Sequence, residues 1–201
     1  MSSAETTVRV APANQASWEH LQRIFGTRGQ GTRCQCQRYR LQPGETFANF
    51  PAEERAYRLH DQTCAGDPTA QSTSGLVAFL GDEPVGWCAV GPRSSYDGLV
   101  RHSRVAWDGR DEDRSDPDVW AVTCVFTRAG FRKLGVSRTL IAATVDFAKE
   151  RGARALEGYP MLRMDVIAEE LHVGTLSSFV AAGFAEIGHP SVRRAVVRID
   201  F

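Results

Sequence analysis

The run Val122-Thr-Cys-Val-Phe-Thr-Arg-Ala-Gly-Phe-Arg-Lys-Leu-Gly-Val-Ser-Arg-Thr-Leu140 constrains this chain more than any other stretch. It begins as an apolar, β-branched segment of the kind that forms a buried strand. A basic turn follows, carrying Gly130 and Gly135. The spacing after Gly135 then becomes helical, with Leu140, Ile141, Thr144, Val145 and Ala148 on one broad stripe. A strand that feeds a helix through such a turn aims several backbone N–H groups and the positive end of the helix dipole at one point. That point suits a phosphate. Arg128, Arg132, Lys133 and Arg138 add positive charge around it.

Gly130-x-x-x-x-Gly135 has the glycine spacing of a Walker A loop, but Val136 stands where that loop needs its lysine. Nothing then reaches the β- and γ-phosphates, which argues against a nucleoside triphosphatase. Composition narrows the choice further. With 201 residues, 42% hydrophobic and 24% charged, the chain fits one ordinary globular domain. Formal net charge is zero, against nucleic-acid binding. No apolar stretch approaches the roughly 20 residues that span a bilayer, and residues 1–7 read as a loose polar tail without a secretory core. The five scattered cysteines fit reduced thiols in a cytoplasm.

Residues 8–201 read as a single domain. Residues 8–11 form a short strand, and Asn14 caps a helix carrying Trp18, Leu21 and Phe25. Cys34–Leu41 reads as extended, and Pro51 opens a second helix. Two strands flank the turn signal Gly81-Asp-Glu. Residues 92–118 form a long polar insertion, readable as a lid or wall of a substrate site or as a solvated loop. The strand at 119–127, the helix at 137–151 and the strand at 153–158 make a parallel β-loop-α-β unit. A helix from Thr175 to Ala182 and a hairpin turning at Pro190-Ser191 close the chain. This order predicts an α/β fold, a central mixed sheet with helices on both faces.

Arg132-Lys-Leu-Gly135-Val-Ser137 is similar to the Arg/Gln-x-x-Gly-x-Gly/Ala signature of the GNAT superfamily of N-acetyltransferases, with Ser137 in the last, usually smaller, position. Phe179-Val-Ala-Ala-Gly183-Phe184 resembles that family's C-terminal Tyr/Phe-x-x-x-Gly-Phe motif. Cys34-x-Cys36, Pro84-Val-Gly-Trp87, Val119-Trp-Ala-Val-Thr-Cys124, Ala155-Leu-Glu-Gly-Tyr-Pro160 and Gly174-Thr175 resemble a bacterial subgroup of it. The resemblance implies the GNAT fold over nearly the whole chain and acetyl-CoA as co-substrate. It also implies transfer of acetyl to a primary amine of a small molecule or peptide, by direct attack in a ternary complex. It admits a homodimer and leaves the acceptor unassigned.

Roles follow by position. The resemblance implies that backbone groups of Val125 and Thr127 pair with the pantetheine arm. Amides from Arg132 through Arg138, including Lys133, Leu134, Gly135, Val136 and Ser137, would hold the pyrophosphate, helped by the Arg132 and Lys133 side chains. The N–H of Val125 would polarise the thioester carbonyl. Where many members carry a Tyr as proton donor this chain has Phe179. Tyr159 is a substitute, with Ser177 and Ser178 as weaker ones that equally suit helix capping. Glu157 is the candidate base or a structural ion pair; Asp116, Asp118, Asp165 and His172 flank the region. The missing Tyr also supports an alternative, a non-catalytic acyl-CoA-binding or sensor domain of the same fold. Cys34-x-Cys36 lacks two further zinc ligands at close spacing, so no metal is expected, and both thiols are placed on the acceptor wall.

Overall fold

Seven strands make one mixed sheet in the order β1-β2-β3-β4-β5-β7-β6. The computed structural model describes residues 7–104, 106–162 and 170–201. Strands β1 (Val8–Pro12), β2 (Gly75–Leu80), β3 (Glu83–Pro92) and β4 (Val119–Thr127) pair antiparallel in turn. β4 and β5 (Ala155–Gly158) run parallel, joined by helix α5 (Val136–Lys149), as the strand-turn-helix run predicts. β7 (Arg194–Asp200) lies between β5 and the edge strand β6 (Ala185–Ser191). Their turn falls at Val192-Arg193, two residues later than expected, because strand pairing runs through Pro190 to Ser191↔Arg194.

Alternation along the strands sorts residues onto two faces. Val85, Cys88 and Val90 of β3 face α5, where Leu140, Ile141 and Phe147 complete one core. α6 (Leu176–Ala181) adds Phe179 to the same face. Trp87 and Ala89 face the other way, against Leu21, Ile24 and Phe25 of α1 (Trp18–Phe25). That helix is capped by Ser17, whose Oγ accepts the His20 N–H at 3.3 Å, while His20 Nδ1 accepts the Ser17 N–H at 3.2 Å. Asn14, the expected cap, instead donates to the carbonyls of Asp67 and Ala70.

Two further expectations change. Cys34–Leu41 is a series of turns rather than extended, after a short helix α2 (Gln30–Cys34), and α3 (Ala52–Thr63) follows. After α2 the chain turns sharply, with Gln35 and Cys36 both left-handed at φ 45° and 50°. The insertion 92–118 is exposed over much of its length but sends an apolar layer onto the sheet. Tyr96 and Leu99, at the start of α4 (Asp97–His102), and Trp107 form a third apolar cluster with Ala121, Tyr159 and Val196. The Trp107 indole N–H donates to the Leu99 carbonyl at 2.9 Å. Thr7 apart, the expected N-terminal tail lies outside the described residues. Among the described residues no helix is long and apolar enough to cross a membrane.

Candidate active site

The site originates where two parallel strands stop pairing. β4 and β5 match only from Val119↔Ala155 to Val122↔Gly158; β5 then ends while β4 continues to Thr127. On its other side β4 stays bound to β3 up to Thr127. The Arg128 N–H donates to the Val85 carbonyl at 2.9 Å. Backbone groups alternate along a strand, so those of Val125 and Thr127 point away from β3, toward the side that β5 has left. Ring packing fills the space against Gly158 and Gly174. Phe179 is fully buried and meets Phe184 edge-on at 5.1 Å between ring centres. Only a glycine at 158 admits that ring, since a Cβ there would stand 2.3 Å from it.

Val125 and Thr127 line a cleft of about 1180 Å³. Its walls are β4, residues 18–38 of the N-terminal region, and the start of α6 with Thr175 and Ser178. A second basin of about 1040 Å³ shares Gln30, Arg38 and His172 with it and adds Tyr39, His102 and Arg194. The insertion therefore contributes Gly98, His102 and Ser103 to this wall, while Tyr96, Leu99, Ala106 and Trp107 pack on the sheet.

At one end of the cleft lies the glycine turn. Gly130, Lys133 and Gly135 all have positive φ (91°, 66° and 78°), so the loop coils tightly before α5. No side chain caps α5, and its first intrahelical bond is Thr139 N–H to the Gly135 carbonyl at 3.0 Å. The N–H groups of Val136, Ser137 and Arg138 precede that bond, where a helix has no internal acceptors to offer. Val136 anchors the turn, buried against Gly86, whose Cβ would stand 2.5 Å from Val136 Cγ1. Ser137 Oγ lies 3.0 Å from Thr127 Oγ1, tying the helix start to the strand end. Arg132, Lys133 and Ser137 line the cleft; Leu134, Gly135 and Arg138 are exposed beside it, outside its lining. Among the described residues Arg132, Lys133 and Arg138 make no ion pair. Arg128 is different: its guanidinium pairs with Glu83, which also binds Arg23 at 2.7 Å. Arg128 thereby holds the Glu83 carboxyl below its ordinary value, and its charge is used in the fold.

Glu157 and Tyr159 lie elsewhere. Neither lines the cleft or the second basin. Glu157 alternates with Leu156, so its side chain points to the face covered by the insertion. There it is fully buried, 2.9 Å from Arg198 and 3.2 Å from Arg93, and paired with Arg110. Tyr159 donates its hydroxyl to Glu157 at 2.9 Å. Burial opposes ionisation of Glu157. The hydrogen bond and charge of Arg110, with the charge of Arg93, outweigh it and hold the carboxyl below its ordinary value. Burial and the Glu157 charge push the Tyr159 hydroxyl well above the ordinary range. A carboxylate held by three guanidiniums matches the structural ion pair, one of the two roles the sequence left open for Glu157, and neither Glu157 nor Tyr159 is among the residues lining the cleft. Asp116 is likewise structural: it pairs with Arg154 and accepts the Asp118 N–H at 2.9 Å. Asp165 lies outside the described residues.

Sequence reasoning missed Arg38, Arg194 and His102, because nothing local marks an arginine or histidine as facing a basin. It placed His172 beside the region without assigning it a role, and that residue lines both basins. Ser178 lines the cleft, and its hydroxyl lies 3.0 Å from that of Thr175; Ser177 is exposed. Cys34, Cys36 and Cys124 also line the cleft.

Residues 37–160 match the sequence pattern of the acetyltransferase (GNAT) family. No curated protein matches the chain. Among solved structures, the chain resembles the PaiA N-acetyltransferase of Thermoplasma acidophilum, determined in complex with coenzyme A. Identity is 9%, coverage is 97% of this chain and 99% of that one, and the TM-score is 0.53. A GCN5-related N-acetyltransferase from Kribbella flavida is similar at 17% identity, 96% and 98% coverage and a TM-score of 0.52. An N-acetyltransferase from Staphylococcus aureus Mu50 is similar at 13% identity, with the same coverage and TM-score. These likenesses carry the fold, and the sequence pattern, spanning more than half of the chain, carries the family: the chain belongs to the GNAT family of acetyltransferases.

Proposed function

We propose that the protein transfers an acetyl group from acetyl-CoA to a primary amine of a small molecule or peptide, by direct attack with both substrates bound. The observation that supports this reading most is the early end of β5. It leaves the backbone of Val125 and Thr127 facing a cleft whose other end is the uncapped start of α5. A pantetheine arm has the alternating amide groups needed to extend a strand edge, and a pyrophosphate suits a helix N-terminus.

When bound, acetyl-CoA supplies an acyl group already activated as a thioester. The residues then divide the work. The N–H groups of Val136, Ser137 and Arg138 hold the pyrophosphate, with Arg132 and Lys133 adding charge-assisted bonds. The carbonyl and N–H of Thr127 and Val125 fix the arm, and the Val125 N–H polarises the carbonyl under attack. The second basin admits the amine, and His172, shared by both basins, accepts its proton. Phe179 has no proton to give, so the departing thiolate takes its proton from solvent or from Ser178.

The test is release of free thiol from acetyl-CoA over a broad panel of amines and peptide N-termini. Amine-dependent release is expected. Binding without turnover across the panel would favour the acyl-CoA sensor reading, which the buried Phe179 supports.

A further inference from the structure

We infer that Cys36 and Cys124 are a dithiol that oxidises to a disulfide across the cleft, fastening its N-terminal wall to β4. Their sulfurs lie 2.9 Å apart although the residues are 88 positions apart in the chain. Closure to a disulfide needs the sulfurs to approach by only about 0.9 Å. Cys34, two residues from Cys36, lines the same cleft, but the close sulfur contact is that of Cys36 with Cys124.

The approach is built in. Gln35 and Cys36 both adopt left-handed backbone, which non-glycine residues rarely do and which surrounding structure must enforce. That turn directs Cys36 inward, where the Trp87 indole N–H donates to its sulfur at 3.0 Å and holds it in place. Trp87 is itself fully buried in the core beneath. Neighbouring amides fix the same turn. Gln37 donates to Gln62 at 2.9 Å, and the Gln22 and Gln35 amides meet at 3.3 Å. Cys124 sits on β4 directly before Val125. A bond there would join the wall at residues 30–38 to the strand that carries the site.

The chemistry balances with a peroxide as oxidant. One thiolate attacks the peroxide O–O bond, forming a sulfenic acid and releasing water or an alcohol. The second thiol attacks that sulfur and displaces water, so two thiols lose their hydrogens and one S–S bond forms. Burial pushes the Cys36 thiol well above its ordinary value, which lowers its thiolate fraction and slows the attack on peroxide.

Reduced full-length protein treated with hydrogen peroxide, alkylated and digested gives the test. A peptide linking Cys36 to Cys124 is expected, reversed by dithiothreitol. It should be lost in Cys36→Ser and in Cys124→Ser and kept in Cys34→Ser. Hydrogen exchange over residues 30–41 should slow on oxidation of the parent. Two results overturn the assignment: all five thiols staying free, or a bridge that maps to Cys34, Cys64 or Cys88. Unchanged exchange in a bridged protein overturns the fastening. Neither readout involves acetyl-CoA, so failure here leaves the proposed activity untouched.

Discussion

Replacing Glu157 by Gln separates a structural carboxylate from a catalytic one. In the parent, Glu157 is fully buried and neutralises a site holding Arg93, Arg110 and Arg198, with the Tyr159 hydroxyl donating to it as well. Gln keeps the shape, removes the charge, and turns an N–H donor toward guanidiniums that already donate. Breaking a buried ion pair by removing one partner costs about 3–5 kcal/mol. For a chain of this size that is a fall in Tm of about 6–20 °C. The pH dependence has a defined sign. The folded-state pKa of Glu157 lies below its ordinary value. Its stabilisation is therefore complete above the unfolded value of about 4.3 and is lost as pH falls through the folded pKa. The gap between parent and variant should be widest near neutrality and shrink on acidification below about pH 4. Urea or thermal unfolding from pH 3 to 7 measures it. A gap below about 1 kcal/mol at neutral pH, or a variant that keeps its stability and loses turnover, would refute the structural assignment and return Glu157 to the role of base.

Phe179→Tyr adds a hydroxyl to a fully buried ring packed against Phe184, Gly158 and Gly174. It should cost about 1–3 kcal/mol and leave thiol release no faster; a faster variant would show that the ring position reaches the reacting atoms. Arg132→Ala removes an exposed cation that makes no ion pair among the described residues. It should weaken acetyl-CoA binding about tenfold, or about 1.4 kcal/mol, with Tm unchanged. A fall in Tm without a change in affinity would contradict its place in the phosphate site.

The strand-turn-helix run was legible because its information is local. The spacing of Gly130 and Gly135, the apolar stripe of α5 and the alternation of β4 all lie within one stretch, and each matches the structure. Phe179 was legible as the absence of a proton donor for the same reason. Glu157 was not, because which face it takes depends on register with Ala121 and Arg198, and its partners Arg93 and Arg110 come from the insertion. That insertion read equally as a lid or a solvated loop, because its many Asp and Arg residues mask the Tyr96, Leu99 and Trp107 that bury themselves and the Arg93 that pairs with Glu112. The contact that Cys36 makes was hidden in a similar way. Its partner, Cys124, is a single residue on a distant strand, and the left-handed turn that joins them carries no glycine to announce it.

Equilibrium titration with acetyl-CoA tests the central claim most directly, with the parent and Gly135→Glu compared. Position 135 has φ 78°, which strains any side chain there, and the variant brings a negative charge into the turn proposed to hold the pyrophosphate. The parent should bind with micromolar affinity and the variant should lose it. Absence of micromolar binding by the parent, or equal binding by both proteins, would contradict the assignment of this cleft to acetyl-CoA.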